Sequence, residues 1–180
     1  MITVKIKKIS YYPPSRSYAV ILEEIDGDRS LPVLVGAYEA QSIAMAMELV
    51  DTPRPLTHDL IVNMINEIDG KVSAIKITKV EDGIYFSNIS IHSKILGNKN
   101  IDSRPSDALA IALRMHSPIL VAEEVMSEAI VWEEDSLIIE DDIKQSPELE
   151  VLEQQLQKAI DKEQYEIAAR IRDKIKDIDG

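Results

Sequence analysis

The order in which strand-like and helix-like periods follow one another restricts the fold of this chain most. In "ITVKIKKI" (residues 2–9), Ile2, Val4 and Ile6 alternate with polar neighbours, which is the two-residue period of a half-buried strand. The segments "YAVILEEI" and "SLPVLV" are two further candidate strands, joined around Gly27 and Asp28. "KVSAIKITKV" and "IYFSNISIHS" surround "EDG" in the same way. The sequence therefore predicts two hairpins, with "YYPPSRS" as a loop before the first.

Helical periods separate these strands. Residues 37–50 place Ile43, Met47 and Val50 on one face, and further helices are predicted from about Thr57 to Ile68 and from Pro105 to about Met115. A short strand ending near Ile101 and the buried strand "PILVA" complete the series. Because strands and helices do not alternate regularly, we predict an α+β fold with mixed or antiparallel strands and about three helices.

Three parts are predicted in the 180 residues: a domain over residues 1–133, an acidic linker over residues 134–146, and an α-helical hairpin over residues 147–180. The linker carries five acidic side chains and one basic side chain. The last part contains two amphipathic helical patterns broken near residues 161–164. A unit of that size does not bury its apolar stripes alone, so it is expected to contact another surface. Uncovered stripes and sheet edges also predict a homo-oligomer.

Composition excludes several classes of site. The net charge is −12, and residues 1–133 hold 13 basic and 18 acidic side chains, so no part of the chain is basic. A basic stripe, which supplies most of the affinity of non-specific nucleic-acid binders, is absent. With no cysteine, thiolate metal sites and cysteine nucleophiles are excluded. We found neither a signal-peptide pattern nor a membrane-spanning apolar run, and a cytoplasmic protein is expected.

Two segments, "DTPRPLTHDL" and "NIDSRPSDALA", place an Arg-Pro pair directly before an amphipathic helix. Pro105 suits the first helical position, and its ring disfavours helical geometry at Arg104, which is therefore expected outside the helix. Thr57 is the expected N-cap of the earlier helix. Two helix starts of one kind in a small chain indicate that both meet at one place.

The motifs "LPVLVGAYEAQSIAMAME", "PRPLTHDL" and "IDSRPSDALAIALR" occur in an order that resembles the bacterial bifunctional nuclease family. The resemblance covers roughly residues 1–133 and implies cleavage of RNA and DNA. The segment "YEIAARIRDKIK" resembles the UVR helical hairpin of excision-nuclease subunits and stress-response adaptors. That second resemblance implies a protein partner for residues 147–180.

The resemblance assigns the motif positions Glu39, Arg54, Thr57, His58, Asp59, Asp102, Arg104, Ser106 and Asp107. All of these except Thr57 and Ser106 are candidate catalytic residues. Asp59, Asp102 and Asp107 are candidate ligands of Mg²⁺ or Mn²⁺, since both ions prefer carboxylate oxygens. Arginines neutralise phosphate and a histidine transfers protons near neutral pH, so the set suits a metal-assisted phosphodiesterase.

The same residues have structural interpretations. Glu39, Asp59 and Asp107 could complement helix dipoles, and the two arginines could form an ion-pair network with the acids. His58 could be an ordinary surface histidine. A non-catalytic interaction or stress-adaptor protein and a binder of a small phosphorylated ligand therefore remain alternatives to a nuclease.

Overall fold

One seven-stranded sheet organises the part of the chain that the computed structural model describes, residues 1–94 and 96–127. Its strands are β1 (Ile2–Tyr12), β2 (Ser17–Glu24), β3 (Ser30–Val35), β4 (Lys71–Glu81), β5 (Ile84–Ser93), β6 (Gly97–Ser103) and β7 (Ile119–Val121). The strand order is β3-β2-β1-β7-β4-β5-β6; β4 and β7 pair in parallel, and every other pair is antiparallel. The mixed sheet confirms the predicted fold class. The predicted linker and C-terminal hairpin lie outside the described residues.

Helices α1 (Ala37–Met47), α2 (Thr57–Glu67), α3 (Pro105–Met115) and the short α4 (Glu123–Ser127) complete this part of the chain. α3 contacts α1, α2, β4 and β5, and it carries the largest share of buried helical residues. Leu22, Ile43, Ile75 and Leu109 are fully enclosed in one core, and burying each such side chain contributes about 1.5–3 kcal/mol. The core therefore fixes α1, α2 and α3 relative to one another. None of the helices in residues 1–94 and 96–127 has the length and apolarity needed to cross a membrane.

The starts of α2 and α3 follow from their Arg-Pro sequences. Arg104 is the extended N-cap of α3 (φ −71°, ψ 147°) and Pro105 is its first residue, as predicted. The prediction of Thr57 as the N-cap of α2 is wrong: the N-cap is Leu56, and Thr57 is already helical. Asp59 caps this end instead, because its carboxylate accepts the backbone N–H of Leu56 at 2.8 Å.

Two element boundaries differ from the predicted ones. β1 continues through Tyr12, which pairs with Ser17, because a 3₁₀ turn over Pro13–Ser15 reverses the chain within the predicted loop. α1 ends at Met47, since Leu49 adopts a left-handed backbone (φ 54°). Met47 and Val50 are consequently 38% and 49% exposed and do not share the buried face with Ile43.

The turn between β4 and β5 matches its sequence signal. Asp82 (φ 52°) and Gly83 (φ 77°) both have positive φ, the geometry of the two-residue turn that favours Asp-Gly. Gly70, predicted to lie just beyond α2, is required there for another reason: a Cβ at this position would lie 2.7 Å from the carbonyl oxygen of Ile65.

Candidate functional site

The first turns of α1, α2 and α3 surround a cavity of about 510 Å³, here called the helix-start cleft. Its polar lining includes Glu39 and Ser42 from α1, His58 from α2, and Arg104 and Asp107 from the start of α3. The two Arg-Pro helix starts thus meet at one place, as their sequences predicted. Helix N-termini carry partial positive charge, which together with Arg104 offsets the negative charge of Glu39 and Asp107 in the lining.

A chain of hydrogen bonds connects Ser42, His58 and Asp107, here called the relay. Ser42 Oγ lies 2.9 Å from His58 Nδ1, and His58 Nε2 lies 3.2 Å from Asp107 Oδ1. The three residues come from three different helices. Because the core fixes those helices, the distances in the relay follow from packing.

Protonation in the relay follows from the charge of Asp107. Burial raises the pKa of Asp107, but hydrogen bonds from Arg104 and His58 outweigh that effect, and the pKa lies below its usual value of 3.8. Asp107 is therefore a carboxylate at neutral pH, and His58 Nε2 must carry the proton that faces it. In neutral His58 the other nitrogen, Nδ1, is then an acceptor, and the Ser42 hydroxyl donates to it.

Arg104 joins two acids at the mouth of the cleft. Its Nε and Nη2 donate to Asp107 at 2.9 and 3.1 Å, and its Nη1 donates to Glu39 Oε1 at 3.1 Å. The carboxylate of Asp107 raises the pKa of Arg104, with a smaller contribution from Glu39. The Arg104 side chain is 66% exposed. The guanidinium has five N–H donors, so it keeps donors for an incoming anion.

Asp59 belongs to a neighbouring cluster with a different partner. Its Oδ1 accepts Arg114 Nε at 2.6 Å, and this hydrogen bond is the main reason that the pKa of Asp59 lies below 3.8. Arg114 Nη1 also donates to the carbonyl oxygens of Ser42 and Ala110. Arg114 is 11% exposed and connects α1, α2 and α3. We interpret the Asp59–Arg114 pair as the support of the cleft; it lines a separate cavity of about 220 Å³.

Arg54 and Asp102 do not join the helix-start cleft. Arg54 is exposed in the loop before α2, and Asp102 is exposed on the edge strand β6 opposite Asn88. Neither lines the cleft. The structure therefore brings together Glu39, His58, Arg104 and Asp107, while the predicted convergence of Arg54 and Asp102 with them is not seen.

The three predicted metal ligands occupy separate surroundings. Asp59 accepts a hydrogen bond from Arg114, and Asp107 is hydrogen-bonded to Arg104 and His58. Asp102 lies on β6. Within residues 1–94 and 96–127, no group of three or more histidine, aspartate or glutamate side chains is placed to hold a metal ion. Asp59, Asp102 and Asp107 in this arrangement do not fit a shared metal site.

Sequence reasoning missed Ser42 and Arg114. Ser42 lies three residues after Glu39, and Arg114 lies seven residues after Asp107, so each shares a helix face with a predicted site residue. Helical spacing from the predicted acids could have drawn attention to both. Their partners depend on how the helices pack, which spacing alone does not specify.

Comparison with known proteins gives one family match for each of two parts of the chain. Residues 20–134 match the model of the bifunctional nuclease domain, and residues 148–180 match the UvrB/UvrC motif. An uncharacterized protein of Mycobacterium tuberculosis is 32% identical over 155 residues, which cover 86% of this chain and 88% of that protein. Bifunctional nuclease 1 of Arabidopsis thaliana is 26% identical over 87% of this chain and 55% of its own length. Bifunctional nuclease 1 of Oryza sativa subsp. japonica is 27% identical over 60% of this chain and 34% of its own length. The chain therefore belongs to the bifunctional nuclease domain family, and a UvrB/UvrC motif follows the domain.

Proposed function

We propose that this protein hydrolyses phosphodiester bonds of RNA or DNA in the helix-start cleft. The observation that carries the proposal is the position of His58, held between Asp107 and Ser42 in a cavity that also exposes Arg104. A histidine oriented by a carboxylate is suited to proton transfer near neutral pH. The names of the plant relatives, bifunctional nucleases, support the same reaction class.

Arg104 is proposed to bind the phosphate of the substrate. Its guanidinium is exposed, permanently charged and planar, which suits two phosphate oxygens at once. The helix N-termini around the cleft add to the attraction. Since residues 1–133 carry a net charge of −5 from 13 basic and 18 acidic side chains, the affinity for nucleic acid is expected to be weak and local to this site.

The predicted role of Mg²⁺ or Mn²⁺ remains a proposal. A divalent ion between Glu39 and Asp107 would compete with Arg104, because both carboxylates already accept hydrogen bonds from its guanidinium. No step is therefore assigned to a metal. Hydrolysis that is abolished by EDTA and restored by Mg²⁺ or Mn²⁺ would establish the requirement.

The test compares two arginines that each form ion pairs with two acidic side chains. Arg104 pairs with Asp107 and Glu39, and Arg29 pairs with Glu24 and Glu123 outside the cleft. The full chain is assayed on fluorogenic single-stranded RNA and DNA, with and without divalent ions. We expect hydrolysis that Arg104→Ala abolishes and Arg29→Ala leaves intact. Equal losses in the two variants would contradict a substrate-binding role for Arg104.

The alternative functions predict a different outcome of the same assay. Absence of hydrolysis by the wild-type chain, together with saturable binding of a nucleotide, would favour a binder of a small phosphorylated ligand. The UvrB/UvrC motif favours a protein partner in either case. We propose that residues 147–180 contact that partner, and a pull-down with these residues deleted should lose it.

A further inference from the structure

Ser42 is the one hydroxyl of the relay. It lies in the middle of α1, is 9% exposed and lines the helix-start cleft. A helical serine often bonds the carbonyl four residues before it, as Ser127 does with the carbonyl oxygen of Glu123 at 2.8 Å. Ser42 instead directs its hydroxyl to the imidazole of His58.

The direction of that hydrogen bond is set by Asp107. Its carboxylate requires a proton on His58 Nε2, and in neutral His58 this leaves the lone pair of Nδ1 to accept the Ser42 proton. A hydroxyl that donates to an imidazole, with a carboxylate on the other ring nitrogen, is an arrangement that activates serine as a nucleophile. Arg104 lines the same cavity, where its positive charge would stabilise the negative charge on the attacked phosphate.

We propose that Ser42 is the nucleophile of this site and forms a covalent phosphoseryl intermediate. The phosphodiester as substrate rests on the proposed nuclease function, whereas the reactivity of the hydroxyl rests on the relay alone. In the first step, Ser42 Oγ attacks phosphorus and its proton moves to His58 Nδ1. The bond between phosphorus and one ester oxygen breaks, and that oxygen takes the proton from His58 and leaves as an alcohol.

Water completes the reaction. It attacks the phosphorus of the phosphoserine diester and loses a proton to His58 Nδ1. The bond between phosphorus and Ser42 Oγ breaks, and Oγ recovers the proton. The products are an alcohol end and a phosphate monoester end, and Ser42 and His58 return to their initial states. In both steps Asp107 holds the imidazole in position.

A fluorophosphonate probe tests the nucleophile without a nucleic acid. The wild-type full chain is treated with the probe, and the modified peptide is identified by mass spectrometry. We expect one adduct, on Ser42, which Ser42→Ala removes and Ser127→Ala retains. Loss of the base in His58→Gln should slow labelling by about 100-fold or more. Mapping the adduct on the wild-type chain requires no variant to fold.

Absence of an adduct on Ser42, or labelling that His58→Gln does not slow, would overturn the proposal. Hydrolysis that Ser42→Ala leaves at the wild-type rate would overturn it as well, while leaving the nuclease function in place. Labelling of Ser42 in a chain that hydrolyses neither RNA nor DNA would support the nucleophile and contradict the nuclease function.

Discussion

Asp59 and Asp107 occupy the first turns of α2 and α3, yet they bind different partners. Asp107 faces His58 and Arg104 in the cleft, whereas Asp59 bonds Arg114 and the backbone of Leu56. At the level of the sequence both are helix-start acids that complement a helix dipole. The packing of α3 against α1 and α2 gives the two acids different roles. Asp107 orients the imidazole of His58, whereas Asp59 stabilises the packing of the helices through Arg114.

The pH dependence of folding tests the supporting role of Asp59. Its pKa in the folded protein lies below 3.8, chiefly because Arg114 donates to it. The unfolded chain therefore takes up this proton first, and the stabilisation is present above about pH 4 and lost as the pH falls through the lowered pKa. We expect Asp59→Asn to lower the free energy of unfolding at pH 7 by about 1–3 kcal/mol, since Arg114 loses a charged acceptor.

Urea unfolding of the wild-type chain and Asp59→Asn at several pH values between 7 and 2 measures this effect. The difference in the free energy of unfolding between the wild-type chain and Asp59→Asn should shrink toward acidic pH. Asp28→Asn, in the exposed turn between β2 and β3, is the control and should match the wild type. A difference that stays constant down to pH 2 would show that the Asp59–Arg114 ion pair is not its source.

At the scale of elements, periodicity predicted most of the strands and helices because alternation of burial is a local property. β4 and β5 follow their two-residue period, and α3 begins at Pro105 as predicted. Element ends were less predictable, since the left-handed backbone of Leu49 has no sequence signal such as glycine. The five-residue helix α4 was missed because it is too short to show a helical period.

α2 leaves an apolar stripe exposed, which bears on the predicted self-association. Leu56, Leu60 and Met64 follow one another at four-residue spacing and are 41%, 54% and 62% exposed. Such a stripe is typical of a surface that another helix covers. We expect the full chain to sediment as a dimer or larger at micromolar concentration, and Leu60→Glu combined with Met64→Glu to shift it toward monomer.

Ile84→Glu is the control for this experiment. Ile84 is 62% exposed at the start of β5, away from the stripe on α2, so its replacement should leave the sedimentation coefficient unchanged. A wild-type chain that sediments strictly as a monomer, both with and without residues 147–180, would contradict self-association.

For the whole molecule, the fold places residues from three sequence motifs in one cleft. Glu39, His58, Arg104 and Asp107 were predicted because they occupy motif positions of the bifunctional nuclease family, and the structure places all four in the cleft. Ser42 and Arg114 were not, because they lie within helices and acquire partners only through packing. Arg54 and Asp102 belong to the same sequence motifs as the cleft residues. Arg54, however, lies on the loop before α2, and Asp102 lies on the edge strand β6, so both are outside the cleft.

The central claim is that His58 performs proton transfer in this cleft. The most direct test compares His58→Gln with His92→Gln, since His92 lies on β5 and bonds Asn98. Initial rates on single-stranded RNA and DNA are measured at neutral pH, with circular dichroism as the check on folding. We expect His58→Gln to lose about 10²- to 10⁴-fold in rate, the usual contribution of general acid–base catalysis, and His92→Gln to match the wild type. A folded His58→Gln variant that cleaves at the wild-type rate would contradict the claim.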